Sequence, residues 1–517
     1  MNTTLNKTVV TLAALAGAFL LLPALAGATP GPVAIPVIPG VAALPGLVAS
    51  PATPAATMGL LKVSPDISTP GKKFEISGTG LPASKPVTIT WSTANVTWLL
   101  DARPDSVDYL GRQTTKFPVV LAQTTTDASG AFSAVLDVPK DWGGIHDIYA
   151  VVDGVQYAKG GLLVARTASI SPKSGPIGTP ITVTYSGLGS SLYEGGAALL
   201  WDNHFSGAMT ANWTRGVATA HIRAAGPVGT HVISLDNAVN FGYLNVPQSP
   251  LPWTTEFQLK FKVTKDAGRP KQELDWPVAV APTLDQKTTM SVLGTTTSST
   301  ASASLSNTAG TVNTKVSISA TGLAAGSVDM EWATVVGNRV NCSGTCWVTS
   351  NVPLGSATAN ADGSLSSAIT VPDGLGGWHA VQLIQNGKVV TQVPYYVKRS
   401  IFQVPNLVVK AGHKFTVHLK GLGWTQLDNT LAVDYDNSYI GYGCGFNSNG
   451  DVVLNLVATG GPGTHIIDGY PLLYTQQPSY ANTPYGMQPF LTYANDEPGL
   501  ALGYQLPAIR LAITVVK

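Results

Sequence analysis

Charge is scarce in this chain. Asp, Glu, Lys and Arg make up 11% of its 517 residues, 30 basic against 29 acidic, for a formal net charge of +1. With no basic stripe and no polybasic run, neither a nucleic-acid backbone nor an anionic membrane surface finds a counterpart. Cysteine is scarcer still, at three residues. No second Cys pair or neighbouring histidine completes a tetrahedral zinc set. Sustained helical periodicity is absent past the N-terminus, which argues against a helical bundle. Nothing after residue 28 is long and apolar enough to cross a bilayer as a helix. The marks of catalysis are missing too: no Gly-x-Ser-x-Gly elbow, no His-Glu-x-x-His, no phosphate-cradling glycine loop ahead of a helix. The chain therefore reads as a non-enzyme. A carboxylate pair distant in sequence escapes such a scan, so a hydrolase in the last unit is the least favoured reading.

Turn formers, by contrast, are abundant. Glycine and proline number 54 and 36, and Thr, Ser and Val dominate between them. That is the balance of an all-β chain with many turns. Residues 1–28 read as a cleaved secretory signal: Lys7, an apolar run from Val9 to Leu22, then small-residue sites at Ala24-Leu25-Ala26 and Ala26-Gly27-Ala28. No transmembrane segment is expected after cleavage. In an exported chain Cys342 and Cys346, which bracket a short turn, read as a loop disulfide. The alternative bridges Cys444 to one of them.

The chain also contains itself twice. Gly187 to His231 matches Gly421 to His465 at a constant offset of about 234 residues. Trp201-Asp202-Asn203 falls on Tyr435-Asp436-Asn437, and Gly229-Thr230-His231 on Gly463-Thr464-His465. Four units share one grammar. Each opens with an alternating strand ending at a Gly-Leu pair, as in Phe74 to Leu81, Ile181 to Leu188, Val316 to Leu323 and Phe415 to Leu422. Period-two alternation puts one face in a core and the other in water. Turn signals such as Asp362-Gly363 and Asn449-Gly450 follow, then a Gly-x-His step. Short strands at this spacing indicate immunoglobulin-like β-sandwiches. The expected order is a Pro/Ala-rich linker over 29–58, domain A over 59–165, domain B over 166–264, a flexible linker over 265–311, domain A′ over 312–398, and domain B′ over 399–517 with a Tyr-rich insertion. The fold class is thus all-β, four tandem sandwiches in a duplicated A-B pair.

Ile170-Ser171-Pro172-Lys173-Ser174-Gly175-Pro176-Ile177-Gly178-Thr179-Pro180 resembles the opening of bacterial IPT/TIG immunoglobulin-like domains, with Gly187-Leu188-Gly189 at their Gly-rich step. Val63 to Leu81 and Pro405 to Gly423 are weaker echoes. The resemblance implies a spacer or adhesive module at a bacterial surface, without catalysis. The expected partner is an envelope protein or an extracellular glycan, and self-association is open. The alternative is a secreted carbohydrate-binding protein.

Three groups of residues stand out as candidate sites. His146, His231, His379 and His465 repeat at the Gly-x-His step, either as metal ligands or as rings tying a sandwich corner to backbone. Trp201-Asp202-Asn203 and Tyr435-Asp436-Asn437 carry three readings: a filled core with a turn, a sugar-stacking corner, or, with Asp434 beside Asp436, a Ca²⁺ site. Ca²⁺ is the one cofactor with any support. The third group is Tyr470, Tyr474, Tyr480, Tyr485, Tyr493 and Tyr504, which read either as an adaptable binding loop or as a self-packed cover for a sheet edge.

Overall fold

The computed structural model describes residues 42–517 apart from 104–105, 192–193, 237–243, 249–255, 278–298, 339–345, 405–406, 474, 477–483 and 486–487. Its strands fall into pairs of facing sheets, and the alternation seen in the sequence decides which side of each strand meets a core. Lys73–Gly78, Pro180–Ser186, Lys315–Thr321 and Lys414–Lys420 all bury every second residue. Each is the middle strand of a three-stranded sheet that faces a larger one. The leucines of the Gly-Leu pairs, Leu81, Leu188, Leu323 and Leu422, are buried. The glycines before them, Gly80, Gly187, Gly322 and Gly421, take φ between 73° and 87°, where a side chain would be strained. One cluster of apolar side chains fills each sheet pair. The chain is all-β with immunoglobulin-like sheet pairs, here termed the first to fourth sandwich.

The first and third sandwiches each extend a long hairpin. In the first it comprises Pro86–Arg103 and Ser106–Thr125; in the third, Gly326–Gly337 and Trp347–Ala359. Each hairpin leans on its neighbour. Trp347 packs edge-on to Trp424 with ring centres 4.9 Å apart. Trp98 donates from Nε1 to Asp496 at 3.0 Å and meets Phe490 edge-on.

Two segments expected as linkers carry sheet pairing. The described part of 29–58 is extended, as its composition implies, and part of it joins a sheet. Leu47–Val48 pairs antiparallel with the outer strand of the first sandwich, and Thr53–Leu60 runs parallel to Val155–Val164. Residues 265–277 of the expected flexible linker are also anchored. Asp266 accepts from the Thr464 N–H at 2.8 Å, Arg269 donates to the Leu407 carbonyl at 2.9 Å, and Glu273–Asp275 pairs with Ala508–Val516. Composition reveals that such segments are extended, not that a sheet edge lies beside them. The Thr/Ser tract 295–300 lies mostly outside the described residues.

The second and fourth sandwiches share a buried seam. Ile466, Tyr470, Leu491, Tyr493, Ala508 and Ala512 of the fourth belong to the core cluster of the second. The described residues form one compact unit.

Candidate functional site

The repeated histidines and the Asp-Asn corners, read separately in the sequence, form one constellation. Asp202 and Asn203 take φ of 50° and 68°, and Asp436 and Asn437 take 49° and 61°, as a tight two-residue hairpin requires. That turn aims each Asp inward. His231 Nδ1 lies 2.5 Å from Asp202 Oδ2, and its Nε2–H donates to the Pro227 carbonyl at 2.8 Å. His465 repeats this with Asp436 at 2.6 Å and the Gly461 carbonyl at 2.8 Å. The second oxygen of each Asp accepts a backbone N–H, from Val232 at 2.9 Å and Ile466 at 2.8 Å. Each ring lies against the aromatic that precedes the turn: His231 is stacked on Trp201, and His465 is tilted over Tyr435. At His465 burial opposes the charge, but the hydrogen bond and charge of Asp436, the Gly461 carbonyl and Asp266 outweigh it, and the pKa is raised.

The first and third sandwiches keep the histidine without the Asp-Asn turn. His146 stacks on Trp91 at 4.2 Å, and its two nitrogens face the carbonyls of Ser92 and Trp142 at 2.7 and 2.8 Å. His379 stacks on Trp332 and donates from Nε2 to the Leu375 carbonyl at 2.9 Å. Its burial pushes the pKa down to about 4, so this ring is neutral at pH 7. In all four sandwiches the ring bonds the carbonyl four residues back.

Geometry weakens the ligand readings of these residues. Asp436 is committed to His465, while Asp434 is fully buried and has no hydrogen-bond partner among the described residues. Burial and the neighbouring Asp468 charge push the Asp434 pKa well up, against the opposing pull of Arg510. A buried carboxyl that resists ionisation is a poor calcium ligand. No group of three or more His, Cys, Asp or Glu able to hold a metal occurs among the described residues. Asn437 is buried and donates to the Arg223 carbonyl at 2.8 Å, so this corner faces the second sandwich rather than a sugar. Asn203 is exposed.

Tyr470, Tyr493 and Tyr504 are buried at 1% exposure or less, which corrects the surface-loop reading for them. Tyr474 and Tyr480 lie outside the described residues, and Tyr485 is placed only by its backbone, in the strand Pro484–Tyr485. Cys346 is disulfide-bonded and Cys444 carries a free, exposed thiol, which removes the Cys444 bridge; Cys342 lies outside the described residues.

The sequence did not reveal the ion network on the shared seam. Arg223 donates from Nε to Asp468 at 2.9 Å and from Nη2 to the Leu511 carbonyl at 2.5 Å. Arg510 reaches Asp468 at 2.9 Å, the Tyr470 hydroxyl at 2.8 Å and Asp275 at 3.3 Å. A buried carboxylate between two guanidiniums has its charge matched inside the seam. The missed signal lies in differences between the copies, since Asp434, Asp468 and Arg510 stand where the second sandwich has Leu200, Ser234 and Gln258.

The open surface feature is a groove of about 1050 Å³ on the side of the fourth sandwich. It runs between the strands Ser438–Cys444 and Val452–Val457, the outer strands of its two sheets. Its walls are chiefly apolar, with Ile440 and Val453 each 52% exposed at the rim.

No family model and no curated protein matches the chain. Several solved structures are similar in fold. A broadly conserved Escherichia coli adhesin is 15% identical over 68% of this chain and all of its own, with a TM-score of 0.15. Invasin, a bacterial integrin-binding protein, is 12% identical over 83% of this chain and 78% of its own, with a TM-score of 0.19. Escherichia coli α2-macroglobulin is 8% identical over 87% of this chain, which spans 30% of that protein, with a TM-score of 0.16. At these identities the likeness concerns fold alone. No helix among the described residues is long and apolar enough to cross a membrane.

Proposed function

We propose that the chain is a non-catalytic structural or adhesion protein, exported to the cell surface or beyond. In this reading its sandwiches, with boundaries as the sequence places them, form a rigid body that presents the groove of the last one. The observation that carries it is the treatment of polar side chains. The residues with the most chemistry to offer, the Asp-His pairs and the Arg223–Asp468–Arg510 network, are turned into corners and seams where they hold sheets together. Among the described residues the large groove has chiefly apolar walls, which suits display more than turnover. Cys346 in a disulfide agrees with an oxidising compartment. The partner would be an envelope protein or an extracellular component.

Fractionation of the native host with N-terminal sequencing tests this. A mature start near Gly27 or Thr29 in the envelope or the medium is expected. An unprocessed chain in the cytosol would overturn the reading.

A further inference from the structure

The second and fourth sandwiches descend from one repeat, yet their open sides differ. In the second, that side lies between the outer strands His204–Thr210 and Val217–Arg223. A segment of the fourth sandwich's insertion closes it. The Ala208 N–H donates to the Pro489 carbonyl at 2.8 Å, and the Leu491 N–H donates to the Ala208 carbonyl at 2.9 Å. Ala208 and Phe490 thus make a parallel bridge, as an added strand would. Leu491 drops fully buried into the second sandwich's core. Gly207 makes room for it: φ is 153°, and a Cβ there would come within 2.8 Å of Leu491 Cγ.

Among the described residues, the fourth sandwich repeats the receiving backbone without the occupant. Gly441 stands at the place of Gly207 with φ of 149°, and a Cβ added to it meets nothing within 4 Å. The bulge between Leu199 and Leu200 recurs between Val433 and Asp434. Leu454 and Leu456, the counterparts of Ala220 and Ile222, are 8% and 9% exposed and line the groove. Where the second sandwich holds Leu491, the fourth holds solvent-accessible space.

We propose that this groove takes an extended segment of a partner polypeptide as an added strand beside Ser438–Cys444, with an aliphatic side chain seated opposite Gly441. An outer strand supplies a backbone ladder and an open core edge supplies the pocket, the two components of strand-addition recognition. The chain itself shows the chemistry that fits. Pro489-Phe490-Leu491-Thr492-Tyr493 is uncharged, with Leu491 next to Phe490 and two residues before Tyr493, and it fills the sister groove. Its own copy is engaged there, so it is the template for the occupant rather than the occupant. The inference rests on the structural or adhesive reading and names the partner class for its groove.

A synthetic peptide of residues 488–494 is the probe, added to the full-length chain. Cys444, exposed at the end of the receiving strand, reports occupancy through its rate of reaction with a maleimide. The peptide is expected to bind one per chain and to slow that reaction roughly tenfold at saturation. A peptide with Asp in place of the leucine is expected to do neither. The double variant Ile440→Glu, Val453→Glu changes two exposed rim positions, so it should keep the parent Tm and lose binding roughly tenfold. Absence of protection, or binding that ignores the rim variant, would overturn the proposal. So would a concentration-dependent dimer abolished by the rim variant, which would make a second copy the occupant. An exported chain that adheres to cells but takes no peptide would leave the wider reading standing and remove this inference alone.

Discussion

An aspartate at a hairpin turn and a histidine 29 residues later act as one group in this protein. The His465–Asp436 contact is charge-assisted, mostly shielded from solvent, and joined to two backbone groups, so a coupling of about 1–2 kcal/mol is expected from a double-mutant cycle with Asp436→Asn and His465→Gln. Its pH dependence has a definite sign. The folded pKa of His465 is raised, so its stabilisation is complete below the unfolded value and is lost as pH rises through the folded one. An NMR titration of the ring would check this, and a folded pKa below the free value would refute it. Glu497 acts in the same direction. Burial drives its pKa from 4.5 to about 8, against the Gly499 and Leu500 N–H groups and Arg399 that favour the charge. The unfolded chain therefore sheds this proton first, and stability falls between pH 4.5 and 8 by about 1.4 kcal/mol per pH unit from this residue. His379 opposes the slope at the acidic end, where its depressed pKa favours the unfolded, protonated ring. Above pH 6.5 His379 no longer opposes the fall and His465 adds to it, so Glu497→Gln should make a Tm-versus-pH curve shallower between pH 6.5 and 8 without removing its slope. Both halves of the Asp-His pair were visible in the sequence. Their common separation in the two copies was the overlooked signal that they meet.

Strands were the most legible elements, because alternation is a local property and a core face is all it needs. Lys315–Thr321 alternates without a break in sequence and in burial alike. Joints between sandwiches are less legible, since they depend on which backbones touch. The Gly-Gly pairs Gly143-Gly144 and Gly376-Gly377 stand at matching places in the first and third sandwiches. Their first glycines prove to be where neighbouring sandwiches meet. A Cβ on Gly143 would stand 1.7 Å from the Gly187 carbonyl oxygen, and one on Gly376 1.8 Å from that of Gly421. The obstacle is backbone on both sides, so it cannot turn away. Gly143→Ala and Gly376→Ala should each cost about 3 kcal/mol in denaturant unfolding. Gly461→Ala, with open space around it, is the control. An equal and small effect at all three positions would show that the joints are looser than these distances. The burial of Tyr470, Tyr493 and Tyr504 is hard to read from sequence for a related reason. Tyr470 and Tyr493 pack into the core of the second sandwich and Tyr504 lies against Tyr396 of the third, which no feature of their neighbourhoods announces.

At the scale of the whole molecule, the sequence argues for two pairs joined by a free hinge, while the described residues argue for pairs that share a core. Deciding between these depends on the seam, not on the tract that connects the halves. Cutting one partner out of the buried network leaves an uncompensated charge, so Asp468→Ala should destabilise by about 3–5 kcal/mol and expose the two arginines to water. Its expected signature in calorimetry is one cooperative transition in the parent separating into two in the variant. The Thr/Ser tract offers the sharper experiment, because it can be cut without touching the seam. A protease site engineered within residues 295–300 should be cleaved while the two fragments continue to elute together under native conditions. They should separate only when the Arg223–Asp468–Arg510 network is broken. Leu491 alone, buried in the core of a sandwich that precedes it by more than a linker, gives the fragments a contact that dispersion and burial both favour. If the cleaved halves of the parent drift apart on a sizing column, the seam is a weak encounter and the chain is two independent pairs after all.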